Sequence, residues 1–153
     1  MQQMVTVRGV VDADFDRWLP LWDSYNRFYG RSGPTALPTA ITRTTWSRFL
    51  DDDEPVHAMV AESQGTLLGL AHYLFHRSTT RVEPTCYLQD LYVDEAARGL
   101  GVGAALIDAA HERARDAGAA RLYWQTHETN AVARALYDKV ADRTGFIVYA
   151  RAM

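Results

Sequence analysis

The sequence holds one cysteine, Cys86, in 153 residues. One cysteine can neither close an internal disulfide nor build a cysteine-rich zinc site, so a reducing compartment, the cytoplasm, is expected, with no bound metal. No run of about 18 apolar residues occurs, and the first residues, MQQMVTVRGV, lack a signal-peptide core. No membrane partner is therefore expected. Positive charge is also in short supply. The 16 basic side chains face 19 acidic ones, for a net charge of -3, whereas a general nucleic-acid binder normally carries a basic surplus. No nucleic-acid partner is expected. The tripeptide Gly-Lys-Ser/Thr of a Walker phosphate loop is absent. What remains is an ordinary globular balance, 48% hydrophobic and 23% charged, which fits one domain over residues 1–153.

Periodicity gives the element order. Residues 5–11 alternate as a strand. Asp12, Asp14 and Asp16 then suit a helix N-terminus, and Phe15, Trp18, Leu19, Trp22, Tyr25 and Tyr29 follow at helical spacing. Pro20 should kink this helix or lie in its first turn. Residues 30–38 read as a loop and 38–50 as a second helix. Apolar runs at 56–62 and 66–76, separated by Ser63-Gln64-Gly65, read as a hairpin. Residues 85–93 form a further strand. A helix opens near Val102 and closes at Gly118, a strand covers 121–126, a helix runs from Asn130 to about 141, and a last strand covers 146–150. This is a mixed α/β (α+β) fold around one central sheet. Its N-terminal half is antiparallel and its C-terminal half is a βαβα unit.

The segment Arg98-Gly99-Leu100-Gly101-Val102-Gly103-Ala104 lies between a strand and a helix. Closely spaced glycines allow positive φ and a close ligand approach, and the amides at the helix start converge on the positive end of its dipole. Arg98 adds a side-chain charge, so the chemistry suits a phosphate or pyrophosphate. Gly99, Gly101 and Ala104 also match the dinucleotide fingerprint G-x-G-x-x-A formally. That fingerprint belongs to the first βαβ unit of a doubly wound sheet, and here too little chain follows it.

The strand YLQDLYV, the loop RGLGVG and the later NAVARALYDKV followed by GF resemble the GNAT superfamily of N-acetyltransferases. The family's phosphate motif Q/R-x-x-G-x-G/A is met by Arg98, Gly101 and Gly103. Its last-helix pattern N-x-x-A-x-x-x-Y is met by Asn130, Ala133 and Tyr137. The resemblance covers nearly the whole chain. It implies acetyl-CoA, or another acyl-CoA, as co-substrate, held by residues 98–104. It also implies that Leu91, Tyr92 and Val93 pair by backbone with the pantetheine arm where two strands splay, because an open strand edge matches two amides. Asn130 and Arg134 join Tyr137 as cofactor contacts.

Attack of an amine on a thioester needs a neutral amine and a proton donor for the departing sulfur. Asn130, Arg134 and Tyr137 share one helix face at i, i+4, i+7, with Val132, Ala135, Leu136 and Val140 expected on the packed face. Spacing alone leaves Tyr137 either a buried tyrosine with a satisfied hydroxyl or the acid; the resemblance favours the acid. Asn130 also suits a helix cap. Some relatives carry a glutamate base where this chain has Gln89, so the nearest carboxylate is Asp90. Alternation places Asp90 on the opposite sheet face from Gln89. His72, His76 and His127 are further candidates for the base. Direct transfer leaves Cys86 without a nucleophilic role.

The first half should supply the acceptor pocket. Trp22, Tyr25, Phe28 and Tyr29 are candidates for a cation–π wall or for core, and loop 30–38 is a candidate for substrate contact. The acidic run 51–54 reads as a solvated turn. The acceptor is expected to be a primary amine on a small molecule, a polyamine or a lysine side chain. One strand after the last helix leaves a sheet edge that a second copy could complete, so a homodimer is expected. The alternatives are a non-catalytic acyl-CoA sensor and a small nucleotide-binding module.

Overall fold

The computed structural model describes residues 4–153. Five strands form one sheet in the order β1-β2-β3-β4-β5: β1 (Thr6–Gly9), β2 (Val56–Ser63), β3 (Thr66–His76), β4 (Thr85–Val93) and β5 (Arg121–Tyr123). The first four pair antiparallel, and β4 pairs parallel with β5. The helices are α1 (Phe15–Phe28), α2 (Thr39–Phe49), α3 (Val102–Asp116) and α4 (Ala131–Val140). The mixed sheet and the βαβα second half agree with the reading of the sequence.

The sheet is covered on both faces, which is why β2 and β3 read as continuous apolar runs rather than alternating ones. Side chains still alternate. Val60, Leu67 and Leu70 pack with Trp18, Trp22 and Trp46 of α1 and α2. Met59, Ala61 and Ala71 pack with Leu106, Ile107 and Ala110 of α3 on the other face. The β2–β3 turn is built on Gln64 (φ 51°) and Gly65 (φ 78°), a pair of left-handed residues that matches strand twist. Gly118, at φ 78°, ends α3, and the Ala119 amide reaches back to the Ala114 carbonyl at 2.9 Å.

Three expectations change. Of the two alternatives for Pro20, the first-turn placement fails: it lies inside α1. It is solvent-facing, where a missing N–H is tolerated most easily. The strand expected at 121–126 ends at Tyr123. The last expected strand, 146–150, does not form within the chain: residues 142–153 run without helix or strand. Phe146 is 89% exposed and Ile147, Val148 and Tyr149 are exposed beside it. Among the described residues no strand edge pairs with these β-forming side chains.

Candidate active site

The glycine segment forms the turn into α3. Gly99 and Gly101 sit at φ 81° and 80°, where a side chain would be strained. Gly103 is helical and serves another purpose: a Cβ there would lie 3.1 Å from Leu136 Cδ2, so its absence lets α4 pack close to α3. The amides of residues 99–104 have no protein acceptor among the described residues, and the first ladder bond runs from the Ala105 amide to the Gly101 carbonyl at 3.0 Å. Six consecutive N–H groups at a helix start are therefore free for an anion. Arg98 lies exposed beside them, its Nε 3.4 Å from the Val93 carbonyl. This donor set fits a diphosphate.

β4 and β5 part next to this loop. Their pairing covers Thr85, Cys86 and Tyr87 and then stops. On that side the edge from Leu88 to Val93, which includes Leu91 and Tyr92, has no strand partner among the described residues. Beyond the gap stands α4. Asn130 caps it, its Oδ1 accepting from the Ala133 amide at 3.3 Å, and Arg134 donates to the Glu128 carbonyl at 2.7 Å. Tyr137 stacks edge-on against Trp124, with centroids 5.5 Å apart. Burial, reinforced by Tyr29, pushes its hydroxyl up to about 12, so it stays protonated. Of the expected packed face only Leu136 packs inward. Val132 is 83% exposed, and Ala135 and Val140 also face solvent.

β4 carries a bulge at Gln89. His72 pairs with Asp90, but Tyr73 pairs with Leu88. The extra residue breaks the alternation expected for Gln89 and Asp90, and both line one pocket. That pocket, about 440 Å³, lies between α1, the following loop, α2 and the sheet. A narrow crevice lined by Tyr25, Tyr29, Gln89, Leu91 and Tyr137 adjoins it at the strand gap. Gln89 belongs to both.

A buried polar chain runs behind Asp90. The Tyr25 hydroxyl donates to Asp90 Oδ1 at 2.7 Å, His72 Nδ1 lies 2.9 Å from Oδ2, and Trp18 Nε1 donates to His72 Nε2 at 3.1 Å. An indole N–H can only donate, so Nε2 is the acceptor and Nδ1 carries the proton given to Asp90. His72 is thus neutral with no free lone pair, which removes it as a direct base. The other two candidate histidines bond elsewhere: His76 to Tyr123 and the Arg77 carbonyl, and His127 to Thr129. Cys86 is fully buried and its thiol is pushed up to about 11, unsuited to nucleophilic work.

Trp22 serves core and pocket at once. Phe28 faces solvent at 61% exposure, which removes it from the acceptor wall. Loop 30–38 contributes Arg31 and Leu37 to the pocket. Sequence reading missed the Tyr25–Asp90–His72–Trp18 chain; no spacing signals a contact across 54 positions.

Among the described residues no helix is long and apolar enough to cross a membrane. Residues 18–141 match the model of the acetyltransferase (GNAT) family. The chain is 36% identical over 149 residues to the D-amino-acid N-acetyltransferase HPA3 of Saccharomyces cerevisiae, covering 96% of this chain and 90% of that one. It is 29% identical over 147 residues to the uncharacterized N-acetyltransferase YhfO of Bacillus subtilis, covering 95% of each. Among solved structures, it resembles that of a probable acetyltransferase with a TM-score of 0.83 at 24% identity, covering 97% of both chains. It resembles AAC(6')-Iy, bound to the bisubstrate analog CoA-S-monomethyl-acetylneamine, with a TM-score of 0.83 at 16% identity, covering 98% of this chain and 99% of that one. The anion loop, the parted strands and the relatives agree: the chain belongs to the GNAT family of acetyltransferases.

Proposed function

We propose that the protein is an acetyl-CoA-dependent N-acetyltransferase that modifies a primary amine by direct attack, with Tyr137 as general acid and Asp90 receiving the proton of the incoming ammonium. The row of free amides at 99–104 beside the open β4 edge carries this reading. Bound acetyl-CoA would supply the acyl thioester. The amides of Gly99, Leu100, Gly101, Val102, Gly103 and Ala104, with Arg98, would hold its diphosphate. Leu91, Tyr92 and Val93 would pair with its amide-bearing arm, and Asn130 and Arg134 would flank it. The name of the yeast relative supports a small amine acceptor over a macromolecular one.

Each residue then has one task. Asp90 draws the ammonium into the larger pocket and takes its proton through the lone pairs that Tyr25 and His72 leave open, freeing the nitrogen pair for attack. As the carbon–sulfur bond breaks, Tyr137 gives its hydroxyl proton to sulfur. It recovers a proton from the newly acylated nitrogen, which is cationic until that proton leaves and the neutral amide is formed. A phenol held at about 12 rests protonated, and because it is a weaker acid than a thiol at about 8.5, its transfer to sulfur is completed by the proton it takes from the acylated nitrogen.

We further propose a homodimer. Val132 and Val140 of α4 and the tail residues Phe146 to Tyr149 leave an exposed apolar surface, and extended chain of this composition fits a strand edge of a second copy.

Thermal shift with acetyl-CoA, CoA, NAD and ATP tests the cofactor, since a ligand that binds the folded state stabilises it by mass action. Stabilisation by the two CoA compounds, with CoA release when an amine is added, is expected. Stabilisation without release for any amine would identify an acyl-CoA sensor. No shift with either CoA compound would end the proposal.

A further inference from the structure

The larger pocket is lined by two guanidinium groups that form no ion pair among the described residues. Arg31 and Arg48 both line it. Among the described residues neither meets a carboxylate, although Arg8, Arg17 and Arg115 all do. Asp90 is the acidic residue of the pocket wall, and both its oxygens already accept bonds, from Tyr25 and His72.

Arg31 is also held in place. Its Nε donates to Asn26 Oδ1 at 2.6 Å, and its amide donates to the Asn26 carbonyl at 2.8 Å. Asn26 is itself 4% exposed and fixed by Nδ2 donating to the Trp22 carbonyl at 2.9 Å. The guanidinium lies 5.9 Å from the Tyr25 ring centre and 5.4 Å from that of Tyr29. Those two rings line the crevice that also holds Tyr137. One nitrogen is thus bonded and the plane is oriented, while the two terminal nitrogens have no protein acceptor among the described residues. A forked pair of donors in fixed orientation is what binds a carboxylate bidentately.

We infer that the acceptor is an amine that also bears a carboxylate, a free amino acid, and that Arg31 is the residue that reads the carboxylate. This rests on the transferase reading above. The two ends of the zwitterion match the two charged ends of the site: the ammonium toward Asp90, the carboxylate toward Arg31. Leu37, Ile41 and Phe49 line the same pocket and suit an apolar side chain. A polyamine would bring its second cation toward two guanidinium groups.

The test compares leucine and phenylalanine, each as both enantiomers, with their amides and with phenethylamine. CoA release is measured for the full-length protein and for Arg31→Gln and Arg31→Lys. The amides carry the more acidic ammonium, so deprotonation alone would favour them. The wild type should prefer the acids by about 10- to 100-fold in kcat/KM, the range of a charge-assisted hydrogen-bond pair. Arg31→Gln should collapse that preference through the amino-acid KM and leave the KM for acetyl-CoA unchanged, and Arg31→Lys should restore part of it. Equal use of acids and amides, or a preference that survives Arg31→Gln, would overturn the assignment. Calorimetric titration of the CoA-loaded protein with leucine and leucinamide separates this from the transferase proposal. Leucine binding that depends on Arg31 in a protein that releases no CoA would refute catalysis and uphold the carboxylate site. Absence of both would overturn both.

Discussion

Tyr25 and Asp90 lie 65 positions apart and are joined by a 2.7 Å hydrogen bond between the hydroxyl and Oδ1. The bond links α1 to β4 at the bulge, so the wall of the larger pocket and the strand with the open edge meet through one carboxylate. His72 holds the other oxygen, and Trp18 fixes the tautomer of His72.

Asp90→Asn should therefore do more than remove a charge. An amide that keeps its oxygen toward Tyr25 turns its NH2 toward the Nδ1–H of His72, leaving two donors face to face. We expect kcat/KM to fall about 10²- to 10⁴-fold, the range of a lost general base, with partial recovery at high pH where the amine is already neutral. An unchanged pH–rate profile would assign Asp90 a purely structural role.

Tyr137→Phe removes the proposed proton donor while keeping the ring on Trp124. We expect kcat to fall about 10²- to 10⁴-fold with little change in KM for acetyl-CoA, as for a group that acts in the transition state. The hydroxyl is held up at about 12, so the wild-type rate should show no loss from its ionisation up to pH 10. An unaltered kcat would remove Tyr137 from the mechanism.

The two glycines should fail differently. Gly101→Val places a branched residue at φ 80° in the anion loop, and acetyl-CoA affinity should drop first. Gly103→Leu would meet Leu136, displace α4 and move Tyr137, so kcat should drop as well. Isothermal titration paired with steady-state kinetics distinguishes the two. Identical profiles would contradict the separate tasks assigned to them.

Asp14 is 1% exposed and accepts from both terminal nitrogens of Arg8, from Arg17 and from the Val11 amide at 2.8–2.9 Å. Hydrogen bonds from Arg8 hold its carboxyl at about 2 instead of 3.8. A carboxyl lowered on folding stabilises the protein above its unfolded value and loses that contribution as pH falls toward the folded one. Stability should thus decline between pH 4 and pH 2. Asp14→Ala should cost about 1–3 kcal/mol, the range for removing hydrogen bonds to charged groups, and should flatten that decline in denaturant titrations.

Removing residues 144–153 should convert a dimer to a monomer in sedimentation equilibrium, without loss of acetyl-CoA binding. A full-length monomer would dismiss the tail as an interface.

The glycine turn into α3, the open edge of β4 and the place of Tyr137 on α4 were legible because each lies within one short segment. The glycine spacing, the strand alternation and the i, i+4, i+7 rows are local signals. Asp90 was legible as a carboxylate, but its orientation was not, because one bulged residue at Gln89 reverses the parity of everything after it. Leu136 was placed on the packed side of α4 correctly, while Val132, Ala135 and Val140 were not. A ten-residue helix over a strand gap buries a narrow stripe, and apolar composition does not reveal its width. Residues 146–150 have strand composition, but a strand requires an edge, and the edge is not encoded beside them.

The sheet has a working side and a choosing side. Trp18, Trp22, loop 30–38 and α2 occupy one face, and α3 with its glycine turn occupies the other. In the proposed transferase, residues that select the nucleophile can consequently change without loosening the grip on the acyl donor, so long as Asp90 and Gln89, the latter shared by both compartments, keep their places. Such a division allows one scaffold to change customers while its supply line stays the same.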